Sequence, residues 1–174
     1  MEERSGRAVG EGARPIGVLF LCTGNSARSL LAEAALARRG GDRFASHSAG
    51  SQPRPAPHPR TLETLARLGY DPSGLASKSW DRFAAADAPP IDIVITVCGN
   101  AANEPCPVWP GAPIQAHWGV EDPAAFEGPV EAERACFERI HDQLAKKVDA
   151  FVALDFEGTP PDVLAERIRA IADV

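Results

Sequence analysis

A strand, a short loop and a helix in direct succession near the start of the chain constrain its fold more than any other feature. Ile16-Gly-Val-Leu-Phe-Leu21 is an apolar run of the length of one buried strand. From Ser29 to about Arg39, Leu30, Leu31, Ala34, Ala35 and Leu36 recur at helical spacing until Gly40-Gly41 stops them. Between the two stands Cys22-Thr23-Gly24-Asn25-Ser26-Ala27-Arg28. A loop this short turns backbone N–H groups inward, and the helix N-terminus adds partial positive charge. Arg28 offers a planar fork to two oxygens of one anion. The result is a pocket for a tetrahedral oxyanion, walled by residues 23–29, with Cys22 at its floor. The positive field favours the thiolate, which makes Cys22 a candidate nucleophile. Ser29 is expected to cap the helix and to hydrogen-bond the sulfur.

Downstream, strands and helices alternate. Phe44–Ser48 reads as a strand, residues 52–59 with their prolines as a loop, and Arg60–Leu68 as a helix ended by Gly69. A short helical stretch is expected near Asp81–Ala86. Ile91-Asp-Ile-Val-Ile-Thr-Val97 has the β-branched density of a strand buried on both faces, and Ile114–Trp118 is a fourth strand. A long helix runs from near Pro129 to about Ala153, with a possible break at Asp149, and a last one from Pro161 to about Ile171. This order predicts an α/β three-layer sandwich: a four-stranded parallel sheet with helices on both faces. Ligands of such sheets collect at the C-terminal strand ends, where Cys22, Cys98 and the residues after Trp118 all fall.

At 174 residues, the chain reads as a leader over residues 1–14 followed by one domain over 15–174. The leader lacks the apolar segment of a secretory signal, and no apolar run reaches about 18 residues, so no membrane partner is expected. A net charge of −6 argues against nucleic acid, and means that an anion site must be made locally. Four cysteines are too sparse for a disulfide framework and point to a reducing, cytoplasmic setting. Cys136 lies within a helical pattern and reads as a small core residue. His47, His58 and His141 show no evident partner, and His117 reads as structural.

Four blocks together resemble the arsenate reductases built on the low-molecular-weight tyrosine phosphatase fold. They are Cys22-Thr-Gly-Asn-Ser-Ala-Arg-Ser-Leu-Leu-Ala-Glu33, Ser48-Ala-Gly50, Val97-Cys-Gly-Asn-Ala-Ala-Asn-Glu-Pro-Cys-Pro107 and His117-Trp-Gly-Val-Glu-Asp-Pro123. The resemblance spans about Gly17 to Val152. It implies that Cys22 attacks the arsenic of bound arsenate while Arg28 and the loop amides hold the charge. It implies Asp122 as general acid. An aspartate serves so only where its protonated form is favoured, and Glu121 and burial are the expected sources. Cys98 would then attack Cys22, release arsenite and leave a Cys22–Cys98 disulfide, which Cys106 would pass on as Cys98–Cys106. No tightly bound cofactor is implied, only an external thiol reductant: thioredoxin, or glutaredoxin with glutathione. The resemblance also suggests potassium beside the loop, held by Asn25, Glu33, Ser48 and Asp81.

Two positions depart from the pattern. Ala27 stands where relatives often carry a second loop cysteine, and the Cys98–Cys106 segment is one residue longer. The competing enzymatic reading is a low-molecular-weight protein tyrosine phosphatase, which needs the same Cys22, Arg28 and Asp122. Ala124-Ala125 supplies no stacking aromatic directly after Asp122-Pro123, which counts against it. A non-catalytic oxyanion-binding or redox-sensing module would need neither Asp122 nor the Cys98/Cys106 pair.

Overall fold

A computed structural model describes residues 14–98 and 109–174. Four strands form one all-parallel sheet: β1 (Ile16–Cys22), β2 (Phe44–Gly50), β3 (Ile93–Thr96) and β4 (Ile114–His117), in the order β2-β1-β3-β4. The helices are α1 (Arg28–Gly40), α2 (Pro59–Arg67), the single turn α3 (Asp81–Ala84), α4 (Val130–Val152) and α5 (Pro161–Ala170). The expected parallel α/β architecture is therefore the observed one.

β1 is central and every one of its seven residues is buried, as a parallel strand between two neighbours must be. Its side chains alternate between two cores. Val18, Phe20 and Cys22 point into the larger one, with Leu31, Ala35 and Leu36 of α1, Ile140, Leu144, Val148 and Phe151 of α4, and Leu164 and Ile168 of α5. Leu19 and Leu21 point the other way, to Ala49, Phe83, Ile91, Val94 and Trp109. Helices cover both faces, but unequally. Among the described residues the second face has only α3 and a pair of indoles, Trp80 and Trp109, edge to face with ring centroids 6.3 Å apart. Trp118 is fully buried beyond β4, and its indole N–H donates to the Ile168 carbonyl at 2.9 Å, which fixes α5 against the sheet.

Some boundaries moved for identifiable reasons. β3 is shorter than Ile91–Val97, yet Asp92 N–H still donates to Gly17 and Val97 N–H to Leu21, so the backbone ladder outlasts the regular strand. α4 runs unbroken through Asp149, whose exposed carboxylate accepts from Arg39 at 2.8 Å. Arg14, counted with the leader on sequence grounds, makes a two-pronged pair with Asp92 at 2.7 and 2.8 Å. Asp92 also accepts from Gly17 N–H, so one carboxylate ties the entry of β1 to β3.

Candidate active site

Cys22 ends β1, only 3% exposed. Its sulfur accepts from the Asn25 N–H at 3.2 Å and lies 3.0 Å from the Ser29 hydroxyl. The carbonyls of Thr23, Gly24, Asn25 and Ser26 are all engaged from outside the loop. Thr23 accepts from Gln52 N–H, Gly24 from Arg54 N–H, Asn25 from the Ser77 hydroxyl, and Ser26 from both His58 N–H and the Thr61 hydroxyl. With the carbonyls turned out to residues 52–77, the amides are left to face the pocket, which is the arrangement an oxyanion needs.

Asn25 holds the loop in shape. It is fully buried in the left-handed region, at φ 46°, where asparagine is among the few side chains tolerated. Its amide Nδ2 donates to Ser29 Oγ at 2.7 Å and to Ser48 Oγ at 3.0 Å, and Oδ1 accepts from Lys78 N–H at 2.8 Å. Gly50 makes the close approach possible: a Cβ there would lie 2.4 Å from the Thr23 carbonyl oxygen and 2.9 Å from Asn25 N. Gly50→Ala is therefore expected to cost about 1–3 kcal/mol of stability and to weaken anion binding. Thermal unfolding and phosphate calorimetry on the same variant check both.

Arg28 opens α1 and reaches toward the loop after β4. Its guanidinium donates to the Val120 carbonyl at 3.3 Å and lies 3.3 Å from the Asp122 carboxylate. Asp122 begins a single 3₁₀ turn, Pro123–Ala125, and accepts from Ala124 N–H at 3.0 Å; the half-buried Phe126 follows. Cys98, 2% exposed, lies just past β3, and its sulfur is 3.6 Å from the Thr23 hydroxyl. The three strand ends thus bring Cys22, Arg28, Asp122 and Cys98 to one edge. Cys106 lies outside the described residues.

Several expectations need correction. Ser29 contacts the sulfur but does not cap α1; the cap position is Ala27, with no side-chain bond. An in-helix serine next to a buried sulfur satisfies the sulfur first. Glu121 does not supply negative charge to Asp122: it is exposed and paired with Arg139 at 3.2 Å, and the charge beside Asp122 is the cationic Arg28.

The suggested cation set finds no support in the geometry. Asp81 opens α3 and joins neither Asn25 nor Ser48. The position beside them belongs to Lys78, whose ammonium lies 3.4 Å from Asn25 Oδ1 and 3.4 Å from Ser48 Oγ, and 2.6 Å from the Ala76 carbonyl. Ser48 in turn donates to the Glu33 carboxylate at 2.5 Å. Burial pushes the Glu33 carboxyl up, against the pull of Ser48 and Lys78, and pushes the Lys78 ammonium down. Among the described residues no group of three or more His, Cys, Asp or Glu could hold a metal ion. Three of the oxygens proposed for potassium are already engaged, Asn25 Oδ1 by the Lys78 N–H, Ser48 Oγ by the Asn25 amide and the Lys78 ammonium, and Glu33 by the Ser48 hydroxyl, so the residues present do not fit it.

The histidines have partners that spacing does not reveal. His58 accepts from Arg60 N–H and caps α2, His141 bonds Tyr70 at 2.8 Å, His117 bonds Thr96 at 2.7 Å, and His47 packs on Phe83. Cys136 is a buried side chain of α4, as expected. Lys78 and Gly50 are the site residues sequence reasoning missed. Only the Ser48-Ala-Gly50 block hinted at the second.

Comparison with known proteins agrees with this geometry. The family model of low molecular weight phosphotyrosine protein phosphatase matches residues 17–157. An arsenate reductase of Halalkalibacterium halodurans is 36% identical over 134 residues, covering 77% of this chain and 93% of its own. That of Bacillus subtilis is 34% identical over the same shares. An arsenate reductase structure in a phosphate-binding state superposes with a TM-score of 0.64 at 28% identity, over 79% of this chain and 97% of its own. A thioredoxin-dependent arsenate reductase of Corynebacterium glutamicum gives a TM-score of 0.52 at 29% identity, over 79% and 64%. With an anion loop closed by Asn25, a floor cysteine and an Asp-Pro turn facing Arg28, this chain belongs to the low molecular weight phosphotyrosine protein phosphatase family, on the side of that family held by arsenate reductases.

Proposed function

We propose that this chain reduces arsenate to arsenite by a thiol relay starting at Cys22. One observation carries the reading from hydrolysis to reduction: a second buried thiol, Cys98, reaches the residue next to the nucleophile, with Thr23 Oγ1 3.6 Å from its sulfur. A phosphatase needs one thiol; a two-electron reduction needs two.

In this reading arsenate binds against the inward amides and the Arg28 fork. The Cys22 thiolate attacks arsenic, and an arsenate oxygen leaves as water, its proton supplied by Asp122, whose protonated form is favoured once the bound oxyanion's negative charge lies against it. Cys98 then attacks the Cys22 sulfur. The sulfur–arsenic bond breaks with its electron pair staying on arsenic, which falls from the +5 to the +3 state and leaves as arsenite, while the two thiols become one disulfide. Cys106 receives that disulfide from Cys22 by attacking Cys98, and an external dithiol restores the thiols. The thioredoxin-dependent neighbour from Corynebacterium glutamicum favours thioredoxin over glutaredoxin with glutathione as that donor. The cycle belongs in a reducing compartment, the cytoplasm. Among the described residues no helix is long and apolar enough to cross a membrane.

An arsenate-dependent NADPH oxidation assay, with thioredoxin and glutaredoxin systems side by side, tests the reading. No arsenate-dependent signal with either, beside brisk hydrolysis of an aryl phosphate, would return the chain to the phosphatases. Asp122→Asn is expected to slow turnover by about 10²–10⁴-fold while changing phosphate affinity little. The amide still accepts from Ala124 N–H but cannot give up a proton as an acid. Steady-state rates and phosphate calorimetry separate the two effects.

A further inference from the structure

Behind the anion loop, four polar side chains form a chain of bonds whose direction is fixed. Asn25 Nδ2 has two hydrogens: one goes to Ser29 Oγ at 2.7 Å, the other to Ser48 Oγ at 3.0 Å. Ser29, having accepted, is free to turn its own O–H toward the Cys22 sulfur 3.0 Å away. Ser48, having accepted, donates to the Glu33 carboxylate. Each link depends on Glu33 accepting. A proton on Glu33 would compete to donate to Ser48, and Ser48 would be left with its own hydrogen to place. The Cys22 sulfur and the Glu33 carboxylate are thus joined through one asparagine, the first buried and the second partly so.

A carboxylate in this position, and a sulfur that must attack as its anion, are both favoured by a cation close by. Lys78 supplies it. Its backbone N–H fixes the Asn25 amide through Oδ1 at 2.8 Å, and its ammonium lies 3.4 Å from both Asn25 Oδ1 and Ser48 Oγ. The Ala76 carbonyl, 2.6 Å away, steadies the ammonium. The other charged or titratable groups facing Lys78 are Glu33 on α1, Arg82 on α3 and His47 on β2. Only Glu33 attracts it.

We propose that Lys78 is a positioning residue that brings the required positive charge to the Asn25–Ser48–Glu33 corner on a covalent tether, so that the anion loop is set without any free monovalent cation. The proposal rests on the reading of Cys22 as the nucleophile of an oxyanion pocket. It does not depend on which reaction follows.

The test follows alkylation of Cys22 by iodoacetamide, read by mass spectrometry of the Cys22 peptide, with inorganic phosphate as the protecting anion. Each protein is measured in potassium chloride and in choline chloride at equal ionic strength. Wild-type half-protection is expected at the same phosphate concentration in both salts. In Lys78→Met it is expected to need about tenfold more phosphate in choline, with most of the loss recovered in potassium. A wild-type pocket that tightens several-fold in potassium would overturn the proposal, as would a Lys78→Met variant equal to wild type in both salts. If Lys78→Met does not fold, the double variant Glu33→Gln with Lys78→Met removes both charges together. It is expected to bind phosphate equally in both salts, and a marked potassium requirement there would overturn the proposal. Failure of phosphate to protect Cys22 in the wild type would overturn the pocket itself, a result distinct from any failure of Lys78.

Discussion

Cys22→Ser is expected to lower both arsenate reduction and aryl-phosphate hydrolysis by at least about 10³-fold. The hydroxyl is isosteric enough to keep the row of buried residues that β1 presents, so the fold should be intact by circular dichroism. It can still accept from Asn25 N–H and lie beside Ser29. What it lacks is a population of the anionic form at neutral pH. Oxyanion affinity should change far less than rate, because the amides and Arg28 are untouched. Phosphate calorimetry beside the two activity assays checks the split. Loss of binding in proportion to rate would mean the sulfur is part of the cradle rather than the attacking group.

Cys98→Ser is expected to separate the two chemistries. Steady-state arsenate reduction should fall to background after the first thiol adduct, since the thiol that displaces arsenite and accepts the oxidation in the proposed relay is gone. Aryl-phosphate hydrolysis should stay within about threefold of wild type, because water completes that cycle and Cys98 is not required. The substitution is mild in packing terms. Cys98 is 2% exposed, and its neighbour Thr23 offers a hydroxyl that a serine can bond as well. The variant is measured in the coupled NADPH assay with each donor and in a chromogenic aryl-phosphate assay. Unchanged arsenate turnover with every donor would remove Cys98 from the relay.

The fold was legible where one periodicity dominated. β1 and β3 are apolar runs because both of their faces are covered, and α1 and α4 carry stripes wide enough to read by eye. The anion loop was legible because its function depends on local order: a strand end, five residues and a helix start. Interactions distant in sequence were not. Nothing near Glu121 announces that Arg139, 18 residues on, takes its carboxylate from Asp122. Nothing near Ser48 announces that Lys78 lies against it, and the resemblance pointed to Asp81 instead. Opposite charges select partners across the whole surface, and one sequence does not record which pair wins. Ser29 misled for a related reason. A serine at a helix start reads as a cap, but a buried sulfur 3.0 Å away makes a stronger claim on its hydroxyl.

The alternation along β1 has a consequence for how this protein fails. Cys22 follows Val18 and Phe20 in the same inward-facing row, so its sulfur is the last rung of the larger core rather than an ornament on a loop. A substitution that loosens α1 or α4 against that row does not blunt the reactive group by degrees. It shifts molecules from a population with a complete pocket to one with none. Weakened variants of the core should thus lose active molecules while the survivors keep their ordinary affinity, and a culture carrying one would show less enzyme, not worse enzyme.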